Sequence, residues 1–110
     1  MKGTVLYDIK DGIAVLTVDN PPVNPLSDGV RAGLYDCLVR AEEDSSAIGV
    51  VLTGKGRAFI GGADISEFGG NGEGITLNEV FNKLESCSKP VVAAINGFAL
   101  GGGLETALCC

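Results

Sequence analysis

The sequence predicts an α/β fold, and three observations carry that prediction. Two β-favouring runs open the chain and are joined by an Asp-Gly pair; a helical apolar stripe is then followed by a short apolar run; a second helical stripe is followed by another such run. Helices alternating with short apolar runs that end at turn residues are the pattern of parallel strands wound with helices.

The opening runs are Thr4 to Ile9 and Ile13 to Asp19, and Lys10-Asp11-Gly12 between them gives the Asp-Gly signal of an antiparallel hairpin. Asn20-Pro21-Pro22 forbids helix, and Ser27 can cap a helix whose apolar positions Val30, Leu34, Cys37, Leu38 and Ala41 recur at helical spacing. That helix is expected to stop between Glu43 and Ser46. Ile48 to Thr53 then reads as a strand covered on both faces. The stretch from Gly69 to Gly74 is nearly all backbone and is expected to be a flexible rim. Thr76 with Glu79 forms a capping box, and Leu77, Val80, Phe81 and Leu84 make the apolar stripe of the helix behind it. Pro90 ends any helix, Val91 to Ile95 reads as a second buried strand, and Asn96-Gly97 turns the chain toward Gly101-Gly102-Gly103. A last helix over Leu104 to Leu108 is expected to be cut short by the end of the chain, leaving its final carbonyls without partners.

Composition narrows the functions. A chain of 110 residues, 45% hydrophobic, supports one small core, and its net charge of −6 with only eight Lys and Arg opposes a phosphate-binding nucleic-acid surface. A membrane-surface role is disfavoured for the same reason, no apolar run is long enough to span a bilayer, and the N-terminus has no secretory leader pattern. The four cysteines show no C-x-x-C spacing and are expected to be small buried residues of a reducing compartment; with no histidine in the chain, no metal site is expected. The missing histidine also removes Ser-His-Asp and Cys-His nucleophiles from this chain. Chemistry here has to come from carboxylates and backbone.

Two segments share one plan, strand into Gly-rich turn into helix start: Phe59-Ile60-Gly61-Gly62-Ala63-Asp64-Ile65 and Ile95-Asn96-Gly97-Phe98-Ala99-Leu100-Gly101-Gly102-Gly103. Each can aim free N–H groups at one point, and an anionic oxygen held by two such donors sits in an oxyanion hole. The plain alternative is a pair of tight turns whose glycines only relieve positive φ. Phosphate binding ranks lower, because neither turn ends in Gly-Lys-Ser/Thr and Gly54-Lys55-Gly56-Arg57 lacks the third glycine of a dinucleotide fingerprint.

Four ordered motifs, Asn20-Pro21-Pro22-Val23-Asn24-Pro25-Leu26, Gly56-Arg57-Ala58-Phe59-Ile60-Gly61-Gly62-Ala63-Asp64-Ile65, Lys89-Pro90-Val91-Val92-Ala93-Ala94-Ile95-Asn96-Gly97 and Gly101-Gly102-Gly103-Leu104-Glu105, make the chain resemble the enoyl-CoA hydratase/isomerase (crotonase) family. The Asn-Pro-Pro-Val-Asn opening and the Ala-Asp-Ile-x-Glu-Phe stretch look most like the N-terminal hydratase part of multifunctional fatty-acid oxidation proteins. The resemblance implies a crotonase-like spiral of ββα units, with residues 1–110 as its N-terminal portion. It implies that the N–H groups of Ala63 and Gly102 hold the thioester oxygen of an acyl-CoA. Gly61 and Ile65 would flank the CoA adenine, Val23 would border the pantetheine, and Asp64 lies among these substrate-binding positions. By residue type alone Asp64 reads as a helix cap and Glu67 as solvent-facing. Lys55 and Arg57 read equally as CoA-phosphate partners or as solvated turn cations.

Glu105 falls one turn into the last helix, where spacing alone makes it a favourable charge against the helix dipole. The resemblance makes it one of two catalytic glutamates of the hydratases; isomerase-only relatives often lack an acid there. The second glutamate is expected one strand and one loop further on, past Cys110. No cofactor is implied, since coenzyme A is part of the substrate. The resemblance further implies reversible hydration of trans-2-enoyl-CoA, with Δ3-Δ2 isomerisation as a second activity, and trimer-type self-association in the full-length protein. The alternatives are a truncated non-catalytic segment with exposed apolar edges, and a hydrolase, decarboxylase or dehalogenase that reuses the oxyanion hole. A bacterial source would imply the cytoplasm and a eukaryotic one the peroxisome.

Overall fold

The computed structural model describes residues 2–64 and 74–110. Strands β1 (Thr4–Lys10) and β2 (Ile13–Asp19) form the expected hairpin, in full register from Thr4 opposite Asp19 to Lys10 opposite Ile13. The turn residues Asp11 and Gly12 both have positive φ, 52° and 81°, the two left-handed residues whose twist matches that of the strands they join.

Helix α1 (Asp28–Glu43) starts at Ser27, whose Oγ accepts the Val30 N–H, and buries Val30, Leu34, Cys37, Leu38 and Ala41, all the positions its periodicity selects. Leu34 and Leu38 have no exposed surface, and burial of that extent is worth about 1.5–3 kcal/mol per side chain. Strand β3 (Gly49–Gly54) runs parallel to β2, and β5 (Val91–Ala93) runs parallel to β3, giving the order β1-β2-β3-β5. A second, two-stranded parallel sheet joins β4 (Ala58–Ile60) to β6 (Phe98–Ala99).

Helix α2 (Leu77–Ser86) has the expected capping box: the Glu79 N–H donates to Thr76 Oγ1 at 3.1 Å, and the Thr76 N–H donates to Glu79 Oε2 at 2.6 Å. Val80 and Leu84 carry its buried stripe against α1. Helix α3 (Gly102–Leu108) closes the chain.

Four expectations need correction. Strand β3 is fully buried on one face only, Val51 and Thr53 being half-buried, and Ile48 lies before it in solvent. Strand β5 ends at Ala93, and Val92 and Ile95 are more than half exposed, because apolar composition measures the tendency to be buried and not the presence of a covering layer. Three of the last carbonyls of helix α3 do find partners, the Cys109 N–H donating to those of Glu105 and Thr106 and the Cys110 N–H to that of Ala107, and only that of Leu108 has none among the described residues. Of the cysteines only Cys37 is buried, where burial pushes its thiol pKa up, while Cys87 and Cys109 are half-buried and Cys110 is exposed. The Gly69–Gly74 rim lies outside the described residues except for Gly74. No described helix is long and apolar enough to cross a membrane.

Candidate active site

Strands β4 and β6 place the two Gly-rich turns side by side. Leaving β4, the chain passes Gly61 and Gly62 to Ala63, which forms a parallel bridge with Leu26, and the Leu26 N–H donates to the Gly62 carbonyl at 2.7 Å. Gly62 has φ +108°, a conformation that L side chains rarely adopt, and it turns the next peptide away from the strand direction. Leaving β6, the Leu100 N–H donates to the Ile60 carbonyl at 3.2 Å, and α3 then begins at Gly102. At Gly103 any Cβ would collide with the Ile60 carbonyl oxygen, so the start of α3 and the end of β4 are in backbone contact.

The result is that Gly102 and Ala63 face each other. A Cβ placed on Gly102 would lie 3.5 Å from the Ala63 nitrogen and 2.9 Å from Leu26 Cδ1. Gly102 is buried and Ala63 half-buried, and among the described residues neither N–H has an acceptor. The Gly102 N–H belongs to the first turn of α3, where helix geometry supplies none. Two unspent donors at the end of adjoining turns can hold one oxygen between them and stabilise charge developing on it.

Glu105 follows in the first turn of α3; its N–H donates to the Gly101 carbonyl at 3.0 Å, and its carboxylate is exposed and makes no hydrogen bond to the described residues. Val23 lies directly on Gly61, whose added Cβ would come within 3.2 Å of Val23 Cβ and Cγ2, so these two sequence-selected positions are neighbours. Asp64 is buried and its Oδ2 lies 3.7 Å from Lys2 Nζ, an ion pair that ties the chain start to the residue after Ala63. Whether Asp64 caps a helix, and where Ile65 and Glu67 stand, lies outside the described residues. Lys55 is paired with Asp19 at 3.7 Å, and Arg57 is exposed on the same turn. No group of three or more metal-ligating side chains occurs among the described residues.

Two asparagines, legible in the sequence only as motif and turn residues, prove to hold this region together. Asn24 is wholly buried; its Oδ1 accepts the Asn20 N–H at 2.9 Å, and its Nδ2 faces the carbonyls of Lys55, Ala58 and Phe59 at 3.1, 3.0 and 3.3 Å. Asn96 Nδ2 faces the carbonyls of Gly54, Gly56 and Ala58 at 2.8, 3.1 and 3.2 Å, and its Oδ1 accepts from the Gly54 N–H and from Thr53 Oγ1. No sequence signal distinguishes these amides from ordinary turn asparagines, because the carbonyls they serve come from a separate stretch of chain.

Residues 8–110 match the enoyl-CoA hydratase/isomerase family. The chain belongs to that family. It is 46% identical over 102 residues to the peroxisomal bifunctional enzyme of Danio rerio, covering 93% of this chain and 14% of that protein. It is 44% identical over 105 residues to a probable enoyl-CoA hydratase of Bacillus subtilis, covering 89% of this chain and 41% of that protein. A monofunctional enoyl-CoA isomerase from M. smegmatis has the same fold, with TM-score 0.79 and 35% identity over 96% of this chain and 46% of its own. The chain thus spans less than half the length of these enoyl-CoA hydratase/isomerase relatives, and its α/β architecture is that of the N-terminal part of the crotonase fold.

Proposed function

We propose that this segment forms the thioester-polarising part of an enoyl-CoA hydratase, acting on trans-2-enoyl-CoA in fatty-acid oxidation. The observation that supports the reading is the close approach of the Gly102 and Ala63 backbones, with 3.5 Å between the Ala63 nitrogen and the position of a Cβ on Gly102, and with neither N–H given an acceptor among the described residues. When water adds to an enoyl thioester, the bond from oxygen to the β-carbon forms while the α,β double bond moves electrons onto the thioester oxygen. Two N–H groups fixed before the reaction stabilise that enolate without reorganising, and one such donor is worth about 2.7–4 kcal/mol.

Glu105 is the acid/base this chain supplies. It stands in the first turn of the helix that begins at Gly102, from which a carboxylate could pass a proton to or from water or the α-carbon. The second glutamate of the hydratase pair is expected beyond Cys110. Gly61, Val23, Asp64 and Ile65 are proposed to border the coenzyme A moiety; the contact of Gly61 with Val23 supports that grouping. The name of the Danio rerio relative supports a peroxisomal setting, and the Bacillus relative a bacterial one.

A specific observation keeps isomerisation as a second reading, because the M. smegmatis relative of the same fold is named as an isomerase. In that reaction Glu105 would carry one proton between two carbons of the acyl chain, through the same enolate. The test of the shared step is Gly102→Val. The new side chain would enter the space between Leu26 Cδ1 and the Ala63 nitrogen, so acyl-CoA thioester binding, measured by calorimetry, is expected to be lost. Unchanged binding would remove the oxyanion-hole assignment.

A further inference from the structure

We infer that Asn24 and Asn96 are positioning residues that set the relative placement of the two donor N–H groups through their shared hold on the Ala58 carbonyl; the inference rests on the thioester-binding reading of that site. The backbone ladder between the two donor arms is short. Strands β4 and β6 pair only at Ala58 with Phe98 and at Ile60 with Ala99, and the register shifts between those pairs. A two-pair ladder specifies register weakly, so something else has to fix where β4 starts relative to β6.

The asparagine amides do this. Asn24 Nδ2 and Asn96 Nδ2 approach the same Ala58 oxygen, at 3.0 and 3.2 Å. Ala58 is the first residue of β4, which leads to Ala63, and Asn96 stands two residues before β6, which leads to Gly102. Asn96 therefore ties the base of one donor arm directly to the base of the other. Asn24 holds the first arm at a second point through Nδ2, which faces the Phe59 carbonyl at 3.3 Å, and its main-chain carbonyl accepts the Gly61 N–H at 3.3 Å. The orientation of both amides is forced by their surroundings. Each Nδ2 faces three carbonyls and each Oδ1 faces a backbone N–H, so a flipped amide would set oxygen against oxygen. Neither side chain hydrogen-bonds to Ala63 or Gly102, which makes their role one of placement.

Asn96→Asp is the decisive variant, because Asn96 is exposed and the substitution keeps its size while replacing the donor by an oxygen that repels three carbonyls. The readout is the infrared stretch of the thioester carbonyl in a carbon-13-labelled trans-2-enoyl-CoA at saturation, which falls in frequency as the two N–H groups polarise the bond. The unaltered chain is expected to lower that frequency. Asn96→Asp is expected to lose more than half of the lowering while the dissociation constant changes less than tenfold. Leu84→Ala, a core change in α2 outside the network, is expected to lower thermal stability and keep the full shift. Asn24→Ser is the second variant, with far-ultraviolet circular dichroism reporting its folding, and is expected to act in the same direction. A folded Asn96→Asp protein that keeps the full shift overturns the inference and leaves the thioester reading standing. Absence of any shift in the unaltered chain overturns both, and needs no variant to be seen.

Discussion

In the proposed reading, Glu105 and the two donors divide the chemistry at the residue scale. The donors would act on the thioester oxygen at every stage, whereas a carboxylate in the first turn of α3 would act only when a proton moves. Glu105→Gln keeps size and polarity but removes the acid/base, and positioned acid/base groups contribute about 10²–10⁴-fold to rate. In a chain that carries the second glutamate, kcat for hydration is expected to fall by about that factor with little change in KM; an unchanged kcat would exclude Glu105 from the proton path. The placement of Ala63, Gly102 and Glu105 beside the two adjoining turns was legible in the sequence because each lies in a contiguous Gly-rich motif. Asn24 and Asn96 were not, because their partners at Gly54 to Phe59 become neighbours only after the chain folds.

Between elements, a charged clamp joins α1 to α2. Lys83 Nζ of α2 pairs with Glu42 Oε1 of α1, and Glu42 Oε2 also accepts the Ser88 N–H at 2.9 Å. The Lys83 ammonium, and after it the Ser88 N–H, hold the Glu42 carboxyl down at about 2, below its ordinary 4.5. The sign follows: a carboxyl with its folded-state pKa depressed stabilises the fold fully above about 4.5, and that contribution is lost as pH falls toward about 2. Glu42→Gln is therefore expected to lower the urea midpoint at pH 7, by the equivalent of about 1 kcal/mol for a partly exposed pair, and to have no effect below pH 2. A pH-independent difference would mean that packing, not charge, is what the substitution removes. Helices α1 and α2 were legible to within a few residues since caps and apolar spacing are local, Ser27 and Thr76 being the signals. Strand β6 was not, because two residues carry no periodicity and its existence depends on pairing with β4. Strand β5 was expected too long and too buried for a related reason, since its cover is not a property of its own sequence.

On the scale of the whole molecule, exposed apolar surface is concentrated at one end of the chain. Val92, Ile95, Phe98, Leu100, Leu104 and Leu108 are 44–75% exposed, and all follow the start of β5, which is itself the edge of the four-stranded sheet. Among the described residues no strand pairs with the outer side of β5, and an edge strand near exposed apolar side chains offers unpaired backbone groups and a dehydration gain to a partner, so association of the isolated chain is favoured on both counts. The 110-residue chain is expected to bind a hydrophobic dye and to show concentration-dependent sedimentation, and Val92→Lys with Ile95→Lys is expected to reduce both while leaving circular dichroism unchanged. Leu100 and Leu104 belong to this patch and also flank the donor turn, the Leu100 carbonyl lying 3.1 Å from where a Cβ on Gly62 would stand. On the proposed reading of the site, association through these side chains and entry of a thioester would draw on the same surface, and two ligands that exclude each other each weaken the other's binding by the same factor. Saturating acyl-CoA is accordingly expected to shift sedimentation toward the monomer, and the double lysine variant to bind acyl-CoA more tightly than the unaltered chain. If the ligand leaves the association constant unchanged, the self-contact does not cover the donor turn, and the patch and the site are separate surfaces of the molecule.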